Sequence, residues 1–586
     1  MTTTANSTLA GAALLGDEAL ALGAIHAGLS AAYGYPGTPS TEIMEYLQAE
    51  AAKQAEANFI ARWCVNEKTA LEAALGVSFA GRRALVTMKH VGLNVAADPF
   101  LNGALLDIKG GLVIAAADDP GMHSSQCEQD SRFYASFAMV PCLEPRRQQE
   151  AYDMAREAFE ISERFHVPVL IRLATRLSHA RSPIKTEKPE DRSRAQRPIE
   201  QRPIEQQPPE QRNFPSKTDN KSGWMLLPAH ARKNYAALIE KQSGLEAWSE
   251  SHAEKNLELS ADSGAPFAVI SSGLGGNYYE ENLSDFKARY GCVPSRLHIE
   301  AYPLPASSIR RLCESATGGS GRAAEEILVI EEGQPFIEEK LRGILPQTIR
   351  IRGRLGAAAL PRTGELDPDN VRAALGLAPR PGVLDTLKLP ALPGRPPQLC
   401  AGCPHADSYE TINRVVAELD GAPGHPNVAV NSDIGCYSLG ASPPYSAVES
   451  IVCMGASIGM ARGAADSGLP YAFAVIGDST FIHSGITALI DAVQANTPMT
   501  VIILDNSIVA MTGCQPTAVA SDRLKALILG TGLDPAHYAE LDARKQYIEE
   551  NAARLKQEAS YRGLSVVIFR RECLEAARKR LKAAKK

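Results

Sequence analysis

The sequence predicts a multidomain α/β protein whose sheets are mainly parallel. Its 586 residues are enough for about three to four domains of ordinary size. Three stretches alternate apolar, strand-like runs with segments of helical spacing, the pattern of parallel sheets covered by helices. Because 45% of the residues are hydrophobic and 22% are charged, the chain can bury several cores, which excludes a mostly disordered polymer.

The first α/β region is expected to span residues 1–180. Two segments have helical apolar spacing, GDEALALGAIHAGL (16–29) and TALEAALGVSFAG (69–81). Four apolar runs predict buried strands: AAYGYPG (31–37), which runs into a turn, RALVTM (83–88), GGLVIAAADD (110–119) and VPVLIRLA (167–174). The alternation of the two patterns predicts a mainly parallel sheet.

A change of composition marks the end of the first region. Residues 181–222 are rich in Pro, Gln, Glu, Lys and Arg, and QRPIEQ occurs at 196–201 and again at 201–206. Such a segment buries too little apolar surface to offset its ordering entropy, so we expect a solvated linker. A polar helical pattern around HARKNYAALIEKQSGLEAW (230–248) then predicts a helical connector over residues 223–262.

Two further α/β regions follow the helical connector. The middle region, 263–386, has strand-like runs at PFAVISSG (266–273), RLHIEAYPLP (296–305) and EEILVIEEG (325–333). A Pro-rich connector over 387–399 leads to the last region, 400–575, whose predicted strands are NVAVNSD (427–433), YAFAVIGD (471–478), MTVIILDN (499–506) and LSVVIFRR (564–571). Residues 576–586 are expected to form a basic, solvated tail.

Charge and cysteine content argue against several classes of partner and location. The net charge of -6 is mild and is not concentrated in one block, so neither a nucleic acid nor an anionic membrane is expected as a partner. No window reaches about eighteen consecutive apolar residues, so no membrane span is predicted. Eleven cysteines are too few for a disulfide scaffold, and the N-terminal segment lacks a basic region, so a cytoplasmic location is expected.

Oxygen ligands follow two successive strands of the last region. Gly477 and Asp478 end one predicted strand, and Asp505 and Asn506 end the next. Because parallel strands end at the same edge of a sheet, this carboxylate and amide oxygen, with the backbone carbonyl of Ile508, suit a divalent cation such as Mg²⁺. The alternative interpretation is that these residues only make turns after strands.

The same segment resembles the thiamine diphosphate signature, in which Gly-Asp-Gly opens a segment that ends in Asn-Asn. Ser479 takes the place of the second glycine of the signature, and Asp505 takes the place of its first asparagine. The resemblance implies that Asp478, Asn506 and the Ile508 carbonyl hold Mg²⁺ against the diphosphate, which offsets charge that is costly to bury. The implied cofactor-binding set here is Gly477, Asp478, Ser479 and Asn506.

Glu67 is the candidate catalytic residue of the first region. A thiamine diphosphate enzyme needs a buried carboxyl group that exchanges a proton with the aminopyrimidine ring of the cofactor. Glu67 begins a helical segment with Ala74 and Gly76, which resembles the glutamate-bearing helix of thiamine pyrimidine-binding domains. The alternative is a solvated glutamate at a helix start. Finding both signals, in separate α/β regions, favours the catalytic interpretation.

Longer motifs run through the first and last regions. They are GYPGTPSTEI (34–43), NEKTALE (66–72), VTMKHVGLNVAADP (86–99), DDPGMHSSQCEQDSRFYA (118–135), CAGCPHADSY (400–409), SDIGCYSLG (432–440), MGASIGMA (454–461) and the segment from GDS to DN with its following AMTGCQP. Together they resemble the catalytic subunit of the indolepyruvate ferredoxin oxidoreductases, within the 2-oxoacid:ferredoxin oxidoreductases. The resemblance implies a pyrimidine-binding domain at 1–180, a transketolase C-terminal-like domain at 263–386 and a diphosphate-binding domain at 400–575, with the cofactor bridging the first and last.

The resemblance also implies roles for further residues. The cofactor would lie beside a turn made of Tyr35, Pro36, Gly37 and Thr38, with Thr38 also a candidate donor to the substrate carboxylate. The substrate pocket would be lined by Lys89, His90 and Asn94, on the loop after a strand, and by His123; a satisfied surface cluster is the alternative for these four. His405 would approach the diphosphate, and the thiazolium side would be approached by Asp433, Gly435 and Cys436.

Cys400 and Cys403 form a C-x-x-C pair that invites a metal interpretation. No second pair exists, and zinc or a cluster needs about four ligands, so no metal is expected there. Relatives usually continue into a ferredoxin-like module, whereas this sequence ends shortly after Cys573, so no iron–sulfur cluster is expected in this chain. Electrons are therefore expected to leave through an iron–sulfur or flavin electron-carrier subunit, and the family pairs this chain with a smaller oxidoreductase subunit.

The resemblance implies oxidative decarboxylation of an aryl or otherwise bulky, indolepyruvate-like 2-oxoacid. Thiamine diphosphate and Mg²⁺ are the implied cofactors, coenzyme A captures the acyl group, and the purified chain alone is expected not to reduce ferredoxin. Two alternatives remain, a non-oxidative decarboxylase that releases an aldehyde and a cofactor-binding scaffold in which Ser479 and Asp505 mark lost chemistry. The retained Glu67, Asp478 and Asn506 argue against the scaffold. A homodimeric core is expected, because such sites often lie near dimer interfaces.

Overall fold

The computed structural model describes residues 13–53, 59–186, 222–260, 265–315, 325–355, 359–380, 394, 397–420, 427–519 and 521–584. The chain forms two compact units, Met1–Lys388 and Leu389–Lys586, and each is described by itself. Most of the predicted linker (187–221) and most of the Pro-rich connector (387–393 and 395–396) lie outside the described residues.

The first unit contains two larger sheets and one small antiparallel pair. Its strands are β1 (Ala13–Leu15), β2 (Ala31–Gly34), β3 (Ile60–Trp63), β4 (Ala84–Lys89), β5 (Leu112–Asp118), β6 (Cys142–Leu143), β7 (Val169–Ala174), β8 (Arg181–Pro183), β9 (Leu257–Glu258), β10 (Ala268–Ser272), β11 (Arg296–Ile299), β12 (Ala301–Tyr302), β13 (Glu326–Ile330) and β14 (Arg350–Arg352). A seven-stranded sheet has the order β12-β6-β7-β5-β4-β2-β3, a five-stranded sheet has the order β14-β13-β10-β11-β9, and β1 pairs with β8. Within the two larger sheets, the pairs are parallel except β12 with β6 and β9 with β11.

Helices flank both sheets of the first unit, as the alternating pattern predicts. They are Gly16–His26, Thr41–Lys53, Glu67–Phe79, His90–Val95, Ala97–Ala104, Arg132–Ala138, Gln148–Phe165, Thr175–His179, Pro228–Lys255, Leu274–Tyr290, Ala306–Ser315, Phe336–Leu341 and Pro368–Ala374. The structure corrects one placement: Lys89 ends β4, and the chain turns directly into the helix His90–Val95, where the sequence suggests a loop. Burial of one face of this helix outweighs the low helix propensity of Gly92.

A buried ionic network lies where β12 joins the first sheet. Arg132 is fully buried, its Nε lies 2.9 Å from Asp130 Oδ1, and its Nη1 lies 3.0 Å from Glu331 Oε2. The Tyr302 hydroxyl, at the end of β12, donates to Glu144 Oε2 at 2.6 Å. Buried charges are tolerated only when they are paired in this way, so the network fixes the middle region of the chain against the first sheet.

The long helix Pro228–Lys255 is attached to this unit through His252. Its Nδ1 lies 3.0 Å from Glu300 Oε1, and its Nε2 lies 2.9 Å from Glu157 Oε1. Burial alone would lower the pKa of His252, but the two hydrogen-bonded carboxylates outweigh it and raise the pKa to about 9. His252 is therefore protonated at neutral pH and bridges two carboxylates.

We expect the contribution of His252 to stability to depend on pH. Because its pKa is higher in the folded chain, the ion pairs contribute fully below about pH 6.5, and the contribution is lost as the pH rises through about 9. The free energy of unfolding of the native chain should be higher than that of the His252→Gln variant, and this difference should be about 2 kcal/mol larger at pH 6 than at pH 9.5. This figure allows for screening by solvent. Urea unfolding at the two pH values measures this difference. His230→Gln, on the same helix, is the control, and an equal pH dependence in both variants would contradict the assignment.

The second unit is built on one parallel sheet. Its strands are β15 (Val428–Ser432), β16 (Ser450–Ile451), β17 (Tyr471–Gly477), β18 (Thr500–Asp505), β19 (Ile508–Val509), β20 (Gln515–Pro516), β21 (Tyr538–Asp542) and β22 (Ser565–Arg570). Six of them form a parallel sheet in the order β16-β15-β17-β18-β22-β21, and β19 pairs with β20 as an antiparallel hairpin. The α-helices are Pro404–Leu419, Ala456–Asp466, Asp478–Thr480, Ile486–Ala495, Ser521–Gly530, Ile548–Ala559 and Leu574–Ala584, and a π-helical turn, Phe481–Gly485, joins the third and fourth of these. Short 3₁₀ helices span Cys436–Ala441, Pro535–His537 and Lys545–Tyr547.

The predicted α/β class with mainly parallel sheets is confirmed. The sequence-predicted strands AAYGYPG, GGLVIAAADD, VPVLIRLA and YAFAVIGD contain β2, β5, β7 and β17, and RALVTM covers all of β4 except its last residue, Lys89. The exact domain limits stay predictions, as does the transketolase C-terminal-like assignment of 263–386. Among the helices of the described ranges, none combines the length and apolar character that a membrane crossing requires.

Candidate active site

The predicted cofactor turn in the first unit follows directly after β2. Within it, Gly37 N–H donates to Thr41 Oγ1 at 3.0 Å, and Ser40 Oγ donates to the Gly37 carbonyl at 2.8 Å. A Cβ on Gly37 would lie 3.1 Å from Cγ and Cδ of Lys89, so the turn packs tightly on the Lys89 side chain. Tyr35 is buried, and Thr38 is half-buried. The structure thus brings the turn and Lys89 together.

Glu67 is the first residue of the helix Glu67–Phe79, as the sequence predicts. Asn66 caps this helix, because its Oδ1 accepts a hydrogen bond from Thr69 N–H at 2.8 Å. Only 4% of Glu67 is exposed, which differs from the solvated glutamate of the alternative interpretation. A Cβ on Gly92 would lie 2.5 Å from Glu67 Oε1 and 2.9 Å from its Cδ. The absence of a side chain at Gly92 therefore makes the space that the carboxyl group occupies.

We expect Gly92→Ala to displace the Glu67 carboxyl group. A methyl group cannot share that space, and a misplacement of about 1 Å can lower the rate of a catalysed reaction by about a hundredfold. Decarboxylation should fall by about ten- to a hundredfold, as measured by CO₂ release, with the affinity for thiamine diphosphate little changed. Gly103→Ala is the matched control, since its Cβ would make ordinary contacts beyond 3.5 Å. Equal activity in the two variants would contradict this role of Gly92.

The predicted substrate residues of the first unit have different environments. Lys89 Nζ donates to the Ser124 carbonyl at 2.9 Å, and burial lowers the pKa of Lys89. His90 is buried, its Nε2 donates to the Cys127 carbonyl at 2.9 Å, and its Nδ1 has no hydrogen-bond partner among the residues that the structure describes. An unpartnered buried nitrogen is costly unless a ligand reaches it. Lys89 and His90 are thus brought to one segment of chain, 124–127.

Two further predicted substrate residues lie at the surface of the first unit. Asn94 is exposed and accepts a hydrogen bond from the Tyr134 hydroxyl at 2.7 Å. The His123 side chain is 56% exposed, and its Nε2 lies 3.5 Å from Glu365 Oε2. Both already have polar partners, so their substrate roles stay predictions.

In the second unit, β17 and β18 are neighbours and bring the predicted cation ligands to one edge of the sheet. Asp478 is buried directly after β17, and Asn506 is buried directly after β18. Burial, together with repulsion from Asp505, raises the pKa of Asp478 to about 8. Asn506 Oδ1 accepts a hydrogen bond from Ile508 N–H at 3.1 Å. A bound divalent cation would offset the charge that makes this pocket unfavourable for a carboxylate.

Asp505 departs from the thiamine diphosphate signature, and the structure supplies it with a partner. Arg570 Nε donates to Asp505 Oδ2 at 3.1 Å, and Ser507 N–H donates to Asp505 Oδ1 at 3.0 Å. Asp505 and Arg570 are paired positions on the neighbouring strands β18 and β22. The extra negative charge is thus compensated by a residue that the sequence analysis missed.

His405 lies beside Asn506. It is the second residue of the helix Pro404–Leu419, and the Asn506 side-chain amide donates to its Nε2 at 3.1 Å. Because an amide nitrogen only donates, Nε2 accepts and the ring proton is assigned to Nδ1. Burial lowers the pKa of His405 to about 4, so the ring is neutral and can act as a hydrogen-bond donor through Nδ1.

The Tyr437 ring lies beside Gly435 and Gly477, which belong to two separate motifs of the second unit. A Cβ on Gly435 would lie 2.3 Å from the Tyr437 ring, and a Cβ on Gly477 would lie 2.6 Å from it. The Tyr437 hydroxyl donates to Asp433, whose other oxygen accepts from Ser457 Oγ at 2.6 Å. Burial raises the pKa of Asp433 to about 6. Neither Tyr437 nor Ser457 was identified as a site residue from the sequence, although both lie inside the quoted motifs.

Several cysteines that are distant in the sequence lie near one another in the second unit. Burial raises the pKa of the Cys436 thiol to about 12, and neighbouring thiols contribute to this shift. These thiols are Cys403, Cys573, Cys400 and Cys514. Across the described ranges, no three His, Cys, Asp or Glu side chains are placed to hold one metal ion. The expectation that this chain has no iron–sulfur cluster stays a prediction.

The polar groups of the predicted site residues are of the kinds that bind thiamine diphosphate and Mg²⁺. In the first unit, the buried carboxyl group of Glu67 occupies a space that a Cβ on Gly92 would fill. The second unit offers a buried carboxylate, an amide oxygen and a neutral histidine at one sheet edge. A carboxylate and an amide oxygen suit Mg²⁺ without a cluster of acidic or thiol ligands.

Comparisons with known proteins identify the family. The family described as "Pyruvate flavodoxin/ferredoxin oxidoreductase, thiamine diP-bdg" matches residues 22–225, and the family described as "Thiamine pyrophosphate enzyme, C-terminal TPP binding domain" matches residues 433–568. The indolepyruvate oxidoreductase subunit IorA of Archaeoglobus fulgidus is 36% identical, with 96% of this chain and 86% of that relative covered.

A second relative gives a similar match, and a solved structure gives a much weaker one. The indolepyruvate oxidoreductase subunit IorA of Methanothermobacter marburgensis is 37% identical, with 86% of this chain and 76% of that relative covered. A solved 2-oxoglutarate:ferredoxin oxidoreductase from Magnetococcus marinus is 16% identical at a TM-score of 0.48, with 62% of this chain and 65% of that chain covered. From its identity to these relatives over most of both chains, the protein belongs to the family of indolepyruvate oxidoreductase IorA subunits, which are thiamine diphosphate-dependent oxidoreductases of 2-oxoacids.

Proposed function

We propose that this chain is the catalytic subunit of an enzyme that oxidatively decarboxylates aryl or other bulky 2-oxoacids, such as indolepyruvate, to acyl-coenzyme A. The observation that carries the proposal is the buried Glu67 carboxyl group in the cradle of Gly92. The relatives are named as indolepyruvate oxidoreductase subunits, which supports both the aryl substrate and the need for a partner subunit.

The residues of each unit have separate tasks in this proposal. Thiamine diphosphate, when bound, supplies the electron sink that decarboxylation of a 2-oxoacid requires. In the first unit, Glu67 holds or releases a proton at its carboxyl group, and Lys89 and His90 bind the substrate with Thr38. Asn94 and His123 complete the proposed substrate-binding set. The turn of Tyr35, Pro36, Gly37 and Thr38 would contact the cofactor.

The second unit holds the diphosphate end of the cofactor. Asp478, Asn506 and the Ile508 carbonyl would hold Mg²⁺, which would supply positive charge to offset that of the diphosphate. His405 would donate a hydrogen bond to the diphosphate through Nδ1, which its contact with Asn506 leaves protonated. Further cofactor contacts come from Gly477 and Ser479, and from Asp433, Gly435 and Cys436.

Electrons leave this chain through a partner in the proposed reaction. We infer a smaller oxidoreductase subunit and an iron–sulfur or flavin carrier, because the relatives are named as subunits. The purified chain alone is then expected not to reduce ferredoxin. Cluster-dependent reduction of ferredoxin by the chain alone would contradict the expected absence of an iron–sulfur cluster. We also expect a homodimeric core, which sedimentation would test.

Product analysis tests the proposed function. The full chain, purified with its partner subunit, is given indolepyruvate, phenylpyruvate or pyruvate with coenzyme A and an artificial electron acceptor. We expect an acyl-coenzyme A product and acceptor reduction, with the aryl substrates favoured by at least about tenfold in kcat/KM. An aldehyde without acceptor reduction would identify a non-oxidative decarboxylase. Binding of thiamine diphosphate without any decarboxylation would identify a scaffold.

A further inference from the structure

The buried carboxylate of Asp119 accepts hydrogen bonds from a segment of chain that contacts the proposed substrate residues. Asp119 follows β5 and is 1% exposed. Its Oδ2 accepts hydrogen bonds from Ser124 N–H at 2.8 Å, Ser124 Oγ at 3.3 Å and Ser125 Oγ at 2.7 Å. Its Oδ1 accepts a hydrogen bond from Thr175 Oγ1 at 2.8 Å. These contacts fold residues 119–127, here called the clamp segment, back onto the end of β5.

The clamp segment contacts three residues that the proposed function assigns to substrate binding. The Ser124 carbonyl accepts the hydrogen bond from Lys89 Nζ at 2.9 Å, and Ser124 Oγ, whose one hydrogen is shared with Asp119 Oδ2, lies 3.2 Å from the Thr38 carbonyl. The Cys127 carbonyl accepts from His90 Nε2 at 2.9 Å. Thr38 and the adjacent residues Lys89 and His90 come from two different parts of the chain, and each has a polar contact to this one segment.

Asp119 is itself held rigidly, which a positioning residue requires. Thr175 directly follows β7, and the neighbouring residues Asp118 and Ala174 are paired positions of the parallel strands β5 and β7. Although burial would raise the pKa of Asp119, the hydrogen bonds from Ser125, Ser124 and Thr175 hold it below its ordinary value. The carboxylate is therefore charged at neutral pH, and its hydrogen bonds are of the stronger, charge-assisted kind.

We propose that Asp119 is a positioning residue for the 2-oxoacid, because it holds the clamp segment so that the Ser124 and Cys127 carbonyls orient Lys89 and His90 toward the substrate. The inference rests on the proposed function, which places those two side chains in the substrate site. Lys89 presents an ammonium group with three donors, of which the Ser124 carbonyl occupies one. The Ser124 carbonyl fixes the position of the ammonium group, so that its other donors can bind the carboxylate of the substrate.

Direct binding of two matched probes tests this proposal. Phenylacetate carries the carboxylate of an aryl acid, whereas phenylacetamide has the same shape without the charge. Both are titrated by calorimetry into the full chain loaded with thiamine diphosphate and Mg²⁺, as the native chain and as Asp119→Asn. In the variant, the amide oxygen can still accept from Ser124 and Ser125, but without the negative charge these hydrogen bonds lose their charge-assisted strength, so the clamp segment is held less firmly.

We expect Asp119→Asn to weaken phenylacetate binding at least about tenfold, the effect of losing one or two charge-assisted hydrogen bonds, and phenylacetamide binding by less than about twofold. With the partner subunit present, KM for the 2-oxoacid should rise by a similar factor while kcat changes little. Thiamine diphosphate affinity should be unchanged. Asp153→Asn, on the surface of the helix Gln148–Phe165, is the control.

Ser125→Ala keeps the proposal testable if Asp119→Asn does not fold. It removes only the 2.7 Å hydrogen bond, so a smaller loss in the same direction is expected. Unchanged binding of phenylacetate in either folded variant would overturn the positioning role, as would equal losses for both probes and for thiamine diphosphate. A native chain that oxidises no 2-oxoacid when its partner subunit and an electron acceptor are present would instead overturn the proposed function itself, whatever the variants do.

Discussion

Glu67→Gln should lower the rate of 2-oxoacid decarboxylation by at least about a hundredfold, the usual contribution of a positioned acid or base. Glutamine has the shape of glutamate and fits the cradle beside Gly92, but its amide cannot release or take up a proton at neutral pH. Affinity for thiamine diphosphate should stay within about twofold, because the substitution removes a proton-transfer group rather than binding surface. Release of CO₂ and calorimetric titration of the cofactor measure the two quantities.

The control for this substitution lies on the same helix. Glu72 is exposed and pairs with Lys68, so Glu72→Gln should leave the rate and the cofactor affinity unchanged. Glu67→Ala should also bind thiamine diphosphate yet show no decarboxylation. A Glu67→Gln variant with native activity would remove the main support for the proposed function, since no other group in the proposal handles that proton.

Asp478→Asn is expected to weaken Mg²⁺-dependent binding of thiamine diphosphate at least about a hundredfold, equal to about 2.8 kcal/mol. The substitution keeps an oxygen ligand but removes the charged side chain from the three proposed protein ligands of Mg²⁺. Without cofactor, the same change should raise the thermal stability of the chain. Burial and repulsion from Asp505 both disfavour the Asp478 carboxylate, and an amide escapes both.

Opposite effects on binding and on stability make this prediction specific. Calorimetric titration at several Mg²⁺ concentrations gives the affinity, and thermal unfolding of the cofactor-free chain gives the stability. Asp534→Asn, at an exposed helix cap of the same unit, is the control and should change neither the cofactor affinity nor the dependence on Mg²⁺. If Asp478→Asn bound thiamine diphosphate and Mg²⁺ with native affinity, Asp478 would not be a ligand of the cation.

Continuous apolar runs explain why the parallel strands could be predicted from the sequence. In β18, Val501 and Ile503 pack into one core of the second unit, and Ile502 and Leu504 pack into another. A strand that is buried on both faces needs apolar residues at every position, and such a run is visible without any structure. Once β17 and β18 are recognised as parallel strands, their ends are expected at the same edge of the sheet. The sequence could therefore predict that Asp478 lies near the turn after β18.

Contacts between distant segments could not be predicted in the same way. The compensation of Asp505 by Arg570 depends on the register of β18 and β22, which no local pattern specifies. The contact of Tyr437 with Gly477 joins motifs that are forty residues apart. The helix at His90–Val95 was missed because its glycine and its short length give a weak helical signal. Each case is decided by tertiary packing rather than by local sequence.

The pairing of β12 with β6 has a practical consequence for dissecting the protein. A fragment ending near residue 180 would leave the edge of Cys142–Leu143 open, a template for self-association. It would also lose Tyr302 and Glu331, and Arg132 would be left with less compensation for its charge. Truncation at the apparent linker should therefore yield an aggregating product, whereas coexpression with a piece beginning before residue 228 could restore it by complementation.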